Sequence, residues 1–170
     1  MTDNFRFKVT AFNSASAIAL IVIFGSVFAL GATLLDGQAR LMTFALTATI
    51  LTFVVGHMVS ASVSLAPDAL HVGAGLFRKR IAYTDILGTS RDASQLKVGW
   101  RMGGIGLPGF GLGWFSGAGG KRLFVAAGRR RDAMRLQLRR NFDVIVGVDD
   151  PGALQRALQR QGVNDTSNEM

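Results

Sequence analysis

Two long runs without charge occupy most of the first third of the chain. Residues 15–35 contain no charged side chain, and residues 41–63 contain a single ionisable group, His57. At about 1.5 Å per helical residue, each run covers roughly 30 Å, the thickness of the hydrocarbon core of a bilayer. The sequence therefore predicts two transmembrane helices, about 15–35 and 41–63, after a short N-terminal segment, residues 1–14.

The first run has an alternative interpretation as a secretory signal peptide, since small residues near Ala29 would suit a signal protease. The apolar part of a signal peptide is usually about 7–15 residues, so the length of this run favours a helix that is retained. Residues 36–40 are a connection short enough to reverse the chain, which predicts an antiparallel helical hairpin. Arg6 and Lys8 precede it, and three further cations follow it, so the positive-inside rule predicts that both termini are cytoplasmic.

His57 is the one titratable group in the two runs, and a histidine inside a membrane is by default a functional hypothesis. Neither run contains an acidic residue or a second histidine that could complete a proton relay. A packing role is therefore the preferred interpretation of His57.

From Ser64 onward the pattern changes to short alternating runs, which predicts a separate domain over residues 64–161 and a flexible tail over 162–170. Two strand-like pieces flank a turn at Pro67 and Asp68. Three later runs, "KRLFVAAG", "AMRLQLRR" and "FDVIVGV", also read as strands, and their close spacing favours antiparallel hairpins. The segment "DDPGALQRALQRQ" predicts one amphipathic helix with Asp150 as N-cap and Pro151 at its first position.

The stretch "GWRMGGIGLPGFGLGWFSGAGGKR", residues 99–122, has ten glycines among twenty-four residues. It does not match a phosphate-binding P-loop, because Gly120 and Lys121 are followed by Arg122 where serine or threonine is needed. One interpretation is structural: a long loop, or a strand pair with bulges at the rim of a barrel. A compatible hypothesis is that its aromatic residues enter the membrane interface; these residues are Trp100, Phe110, Trp114 and Phe115.

Basic residues are in excess in the second domain, where sixteen Lys and Arg stand against nine Asp and Glu from Ser64 onward. Anionic lipid headgroups are the nearest negative partner for a domain tied to the inner leaflet. Nucleic acid is a weaker alternative because no recognised nucleic-acid motif is present, and a merely solvated surface is the other alternative. The candidate anion-binding residues are Arg78, Lys79, Arg80, Lys121, Arg122, Arg129, Arg130 and Arg131.

The succession of a helical hairpin, "VSLAPDALHVGAG", "RKRIAYTDILGT", "RMGGIGLPGFGLGWF" and "VIVGVDDPGALQRAL" resembles uncharacterised bacterial membrane proteins with a pleckstrin-homology (PH) domain. The resemblance implies an α+β, mainly-β fold, in which a bent antiparallel barrel carries one C-terminal helix. Arginines are more frequent in "GRRRDAMRLQLRR" than the resemblance implies. The residues that match the family pattern are Ile81, Asp85, Ile86, Arg101, Gly104, Pro108, Gly109, Gly113, Phe115, Asp150 and Pro151.

Residues suited to catalysis are scarce: the chain has no cysteine, only two histidines, and Glu169 as its one glutamate. No serine stands in a nucleophile motif. We therefore expect a non-enzymatic protein of the bacterial inner membrane, without cofactor or metal, that binds lipid headgroups, a protein partner or a second copy of itself. The alternative is an accessory subunit of a transport or channel complex, in which the hairpin is the working part and its threonines, with His57, face a pathway; these are Thr43, Thr47, Thr49 and Thr52.

Overall fold

The computed structural model describes residues 5–9, 14–91, 98–128 and 133–164. The two apolar runs form helices α1 (Ser14–Leu34) and α2 (Gly37–Ser60), both long and apolar enough to span a membrane. They pack on each other through Phe28 and Phe44, whose ring centroids are 4.9 Å apart. Because α2 already begins at Gly37, the connection consists of two residues and is shorter than the predicted residues 36–40.

A four-stranded antiparallel sheet follows directly from α2. Its strands are β1 (Arg6–Lys8), β2 (Ser62–Leu65), β3 (Ala69–Ala74) and β4 (Phe77–Ala82), in that spatial order. The predicted end of the second helix at residue 63 was wrong, because Ser62 already pairs with Gly73 in the sheet. The N-terminal segment, for which no strand was predicted, supplies β1 as an edge strand through the pairing of Phe7 with Val63.

A second sheet has six strands, in the spatial order β5-β9-β10-β8-β7-β6. The strands are β5 (Ile86–Ser90), β6 (Val98–Leu107), β7 (Phe110–Gly117), β8 (Arg122–Ala127), β9 (Ala133–Leu138) and β10 (Phe142–Gly147). The three predicted strands after the glycine-rich stretch are confirmed. The expected succession of antiparallel hairpins was wrong at one step, because β8 pairs with β10 in parallel and β9 lies on the other side of β10.

Helix α3 (Pro151–Arg160) packs on the core between the sheets. Asp150 caps it as predicted, because its Oδ1 accepts a hydrogen bond of 2.8 Å from the Ala153 amide. Leu154 and Leu158 are fully buried, as their four-residue spacing requires. The predicted flexible tail begins too early: Val163 is 4% exposed, and Asn164 accepts a hydrogen bond from the Thr89 amide.

The strand registers show which end of each sheet lies next to the helices. Ser62 at the start of β2 is two residues beyond α2 and pairs with Gly73, so the β3–β4 turn lies at this end. Val148, just beyond β10, bridges to Val9, whose amide donates to the Ala61 carbonyl. We name this end the helix-side edge and the opposite end the far edge.

The tip of the β6–β7 hairpin also lies at the helix-side edge. Strand β10 runs beside β8 with Val146 next to Ala126, and the following residue, Ala127, pairs with Gly111 near the tip. The far edge contains the β2–β3 and β9–β10 turns and a short 3₁₀ turn, Tyr83–Asp85. Tyr83 joins two of these features, because its hydroxyl donates a 2.8 Å hydrogen bond to the Ala66 carbonyl.

The glycine-rich stretch forms a bent strand pair, in agreement with its structural interpretation. Gly104 and Gly113 face each other in register with φ of +115° and +127°, values that side-chain-bearing residues rarely adopt. A Cβ on Gly113 would lie 2.4 Å from the Gly103 carbonyl oxygen, so the two backbones approach closely. Register shifts between Val98 and Gly103 add bulges to the same hairpin.

Replacing Gly113 by alanine is expected to lower the free energy of unfolding by about 2 kcal/mol, because the substitution strains a positive-φ position and creates a backbone clash. Urea unfolding of the full chain in detergent micelles, followed by tryptophan fluorescence, measures the loss. Gly103→Ala is the control, since its φ is not positive and a Cβ there meets no atom within 4 Å. Equal losses in the two variants would contradict the role assigned to the bend.

Candidate functional site

Four cations share the outer face of the four-stranded sheet. Residues directly opposite each other in an antiparallel sheet project from the same face, and the register aligns Lys8, Ser62, Gly73 and Arg78 in one row at the helix-side edge. The next row on this face aligns Arg6, Ser64, His71 and Arg80. The alternate residues, Val63, Val72 and Ile81 among them, are buried. We name the surface formed by Arg6, Lys8, Arg78 and Arg80 the basic face.

The predicted triplet of cations on β4 is divided between the two faces of the sheet. Arg80 forms an exposed ion pair with Asp68, whereas Arg78 has no ion-pair partner among the residues that the structure describes. Lys79 projects to the opposite face, and its Nζ lies 4.9 Å from the centre of the Trp114 ring. This geometry is a cation–π contact, so Lys79 is not part of the basic face.

Two described members of the other predicted basic cluster surround Asp143, which is fully buried and lies near the far-edge end of β10. Lys121 Nζ lies 2.8 Å from its Oδ1, Arg135 Nε donates to Oδ2 at 2.9 Å, and the Leu138 amide donates to Oδ1 at 3.2 Å. Burial alone would raise the pKa of Asp143, but the hydrogen bonds from Lys121, Arg135 and Leu138 hold that pKa below its usual value. Asp143 is therefore the ion-pair partner of both Lys121 and Arg135.

A second far-edge ion pair joins Asp85 and Arg140, with a distance of 2.7 Å. The Asp85 carboxylate accepts from the Arg140 guanidinium, and the Asp85 carbonyl accepts from the Arg139 amide. Arg122 and Arg139 are exposed and have no ion pair within the described ranges. The predicted site residues Arg129, Arg130 and Arg131 lie outside the described residues.

The aromatic residues of the bent hairpin differ in exposure. Phe110 and Phe115 are only 4% and 7% exposed, and Trp114 packs edge-on against Phe124 and Phe142. Trp100 is 88% exposed. Direct membrane contact by Phe110 and Phe115 was therefore a wrong expectation, because strand alternation and the bend at Gly113 direct both rings into apolar clusters.

An exposed apolar residue that the sequence analysis missed is Leu76, in the β3–β4 turn at the helix-side edge. Its side chain is 80% exposed. The neighbouring Gly75 touches α2, since a Cβ there would lie 2.5 Å from His57 Nε2. His57 Nδ1 lies 3.0 Å from the Phe53 carbonyl oxygen, and its ring lies near the Phe77 ring. These contacts place His57 at a joint between helix and sheet and support its packing role.

The residues of the family pattern lie in the core, in a turn and along a strand. Ile81 and Ile86 are buried, Pro108 and Gly109 form the tip of the β6–β7 hairpin, and Arg101 lies along β6. Among the described residues, no group of three or more histidine, aspartate or glutamate side chains could hold a metal ion.

Comparison with known proteins gives one family. A family model described as "Bacterial PH domain" matches residues 61–162, which is more than half of the chain and includes everything from the end of α2 to the end of α3. Neither the curated proteins nor the solved structures gave a match.

Asp143→Asn is expected to lower the free energy of unfolding by about 1–3 kcal/mol at neutral pH, because a buried hydrogen-bonded carboxylate is lost. The folded pKa of Asp143 is lowered, so its contribution is complete above the unfolded value of about 3.9 and is lost as the pH falls through the folded pKa. The difference between wild type and variant should therefore shrink at acid pH. Urea unfolding at pH 7 and pH 3 measures this.

The matched control is Asp68→Asn, which removes an ion pair whose two side chains are more than half exposed. Such a pair contributes about 0.5 kcal/mol. A pH-independent loss in the Asp143 variant would show that packing, and not charge, is responsible.

Proposed function

The chain belongs to the bacterial PH domain family, and from this premise we propose that it is a membrane-anchored, non-enzymatic binding module whose basic face holds anionic lipid headgroups. A PH domain supports a binding or scaffolding role in general. The observation that carries the specific proposal is the position of the row containing Lys8 and Arg78, directly beside the ends of the two apolar helices.

The distance from helix to basic face is short. Ser62 is two residues beyond Ser60, the last residue of α2, and two residues extend at most about 7 Å. If α1 and α2 cross a bilayer, Lys8 and Arg78, which share the row of Ser62, lie at headgroup level. Arg6 and Arg80 lie one row further, about 7 Å away and within the screening length of about 8–10 Å at physiological salt.

The β3–β4 turn supports the same orientation. Gly75 contacts His57, which stands three residues before the end of α2, so Leu76 lies at the level of the last helical turn. An exposed leucine at that depth suits the boundary between headgroups and acyl chains. By the positive-inside rule, the cations that flank the hairpin support a cytoplasmic location for this side, where anionic lipids attract each basic residue by about 1 kcal/mol.

The far-edge cations are not part of this proposal. Lys121 and Arg140 lie at the end of the sheets remote from the helices, where they pair with Asp143 and Asp85, and Arg135, near the middle of β9, also pairs with Asp143. The transport alternative receives no support from the hairpin, because Thr49 and Thr52 donate their hydroxyl groups to carbonyls of their own helix.

Removing Lys8 and Arg78 together, as Lys8→Gln with Arg78→Gln, is expected to weaken binding of phosphatidylglycerol about 30-fold, at about 1 kcal/mol for each cation. Phosphatidylcholine binding should not change. Native mass spectrometry of the full chain released from detergent micelles, with each lipid titrated in turn, measures the individual dissociation constants. Higher salt should weaken the wild-type preference for the anionic lipid.

The matched control is Arg122→Gln with Arg139→Gln, which removes the same charge from the far edge. This variant should bind phosphatidylglycerol within about twofold of wild type, because the two side chains lie far from the membrane surface. If both double variants lost the same affinity, net charge alone would be responsible, and the basic face would not be the site.

A further inference from the structure

A cavity of about 990 Å³ lies on the outer face of the six-stranded sheet, separate from the core between the sheets. Its floor is formed by Phe115, Val125, Ala133 and Ile145, which belong to an apolar cluster distinct from the main core. Pockets for small molecules usually have about 300–1,000 Å³. The cavity therefore has the volume of a ligand site and the lining of an apolar one.

The bent hairpin creates this space. The Phe115 ring rests on two glycines of opposite strands, and a Cβ on either Gly106 or Gly111 would lie within 3.6 Å of the ring. Beyond the ring, Trp100 stands on one side of the cavity and Leu107 and Pro108 on the other. A side chain at either glycine would press on the Phe115 ring, so the two glycines leave room for this ring beside the cavity.

Among the described residues that line the cavity, Arg101 is the charged one. It is exposed and forms no ion pair with any residue that the structure describes. Its Cδ lies 3.2 Å from the position that a Cβ on Gly106 would take, so the aliphatic part of the side chain lies against the hairpin. A guanidinium presents a planar pair of donors that matches a carboxylate. One arginine beside an apolar cavity is complementary to a ligand with one acid group and a long apolar chain.

We propose that this cavity binds a long-chain fatty acid, with the acyl chain on Phe115, Val125 and Ile145 and the carboxylate at Arg101. The tip of the β6–β7 hairpin, which lines one end of the cavity, lies at the helix-side edge, so a bilayer spanned by α1 and α2 would supply the ligand. The proposal uses the membrane anchoring from the proposed function but not the headgroup binding, because the basic face belongs to the other sheet.

The test measures quenching of Trp100 by a brominated fatty acid. The full chain carrying Trp114→Phe, which leaves Trp100 as its one tryptophan, is placed in lipid nanodiscs and titrated with 9,10-dibromostearate. We expect saturable quenching, and at least tenfold weaker binding of the methyl ester, which lacks the charge that an arginine would pair with. The variant Trp100→Phe reports from Trp114, which packs on the other face of the sheet and should be quenched much less.

Two further variants separate the cavity from the bilayer. Ala133→Leu adds bulk to the cavity floor and should abolish the saturable phase, whereas bromine atoms in the bilayer would quench this variant and wild type equally. Arg101→Gln, at an exposed position, should weaken binding of the acid at least tenfold and leave binding of the ester unchanged. Each variant is also made in the Trp100→Phe chain, where an unchanged Trp114 emission shows that it is folded.

Absence of quenching, or quenching that is not saturable and is equal in all variants, would overturn the proposal. Equal affinity for acid and ester would overturn the role of Arg101. Loss of headgroup binding in the Lys8 and Arg78 double variant is measured separately, and fatty-acid quenching in that variant should be the same as in wild type. The two proposals can therefore fail independently.

Discussion

The position of the whole β domain depends on how the chain passes from helix to strand. Strand β2 starts at Ser62, after a single residue between helix and strand, and β1 returns beside it toward α1. Because the two strands are hydrogen-bonded to each other, for example through the Val9 amide and the Ala61 carbonyl, the sheet is joined to the hairpin at two points. The fully buried Met58 and the contact of His57 with Gly75 add packing to this junction. These contacts place a defined set of the sheet's residues beside the end of α2.

The shape of the β6–β7 hairpin depends on the close approach of two backbones at Gly104 and Gly113. No residue with a side chain fits there, so this pair sets the bend of the β6–β7 hairpin. Strand alternation divides the aromatic residues of β7 between two clusters, with Phe110 and Trp114 toward the main core and Phe115 toward the outer cluster.

Local patterns predicted the elements of this fold better than their pairing. Length and lack of charge identified both helices, alternation identified β8, β9 and β10, and Asp150 with Pro151 marked the start of α3. Strand β1 has only three residues, Arg6 to Lys8, and two are charged, so no local pattern distinguishes it from a solvated segment. The parallel pairing of β8 with β10 depends on contacts between distant residues, which periodicity within one strand does not reveal.

The charge pattern of the sequence likewise does not show which cations are paired in the folded domain. Lys121, Arg135 and Arg140 are prominent in the sequence, yet Lys121 and Arg135 pair with the buried Asp143, and Arg140 pairs with Asp85. An aspartate between apolar strand residues gives no sequence signal that its partners are eight and twenty-two residues away. Lys8 and Arg78 are seventy residues apart, but the register of four strands places them in one row beside the helices. Among the described cations, those best placed to meet a membrane are therefore the ones that the sheet aligns, whereas Lys121, Arg135 and Arg140 form ion pairs within the domain.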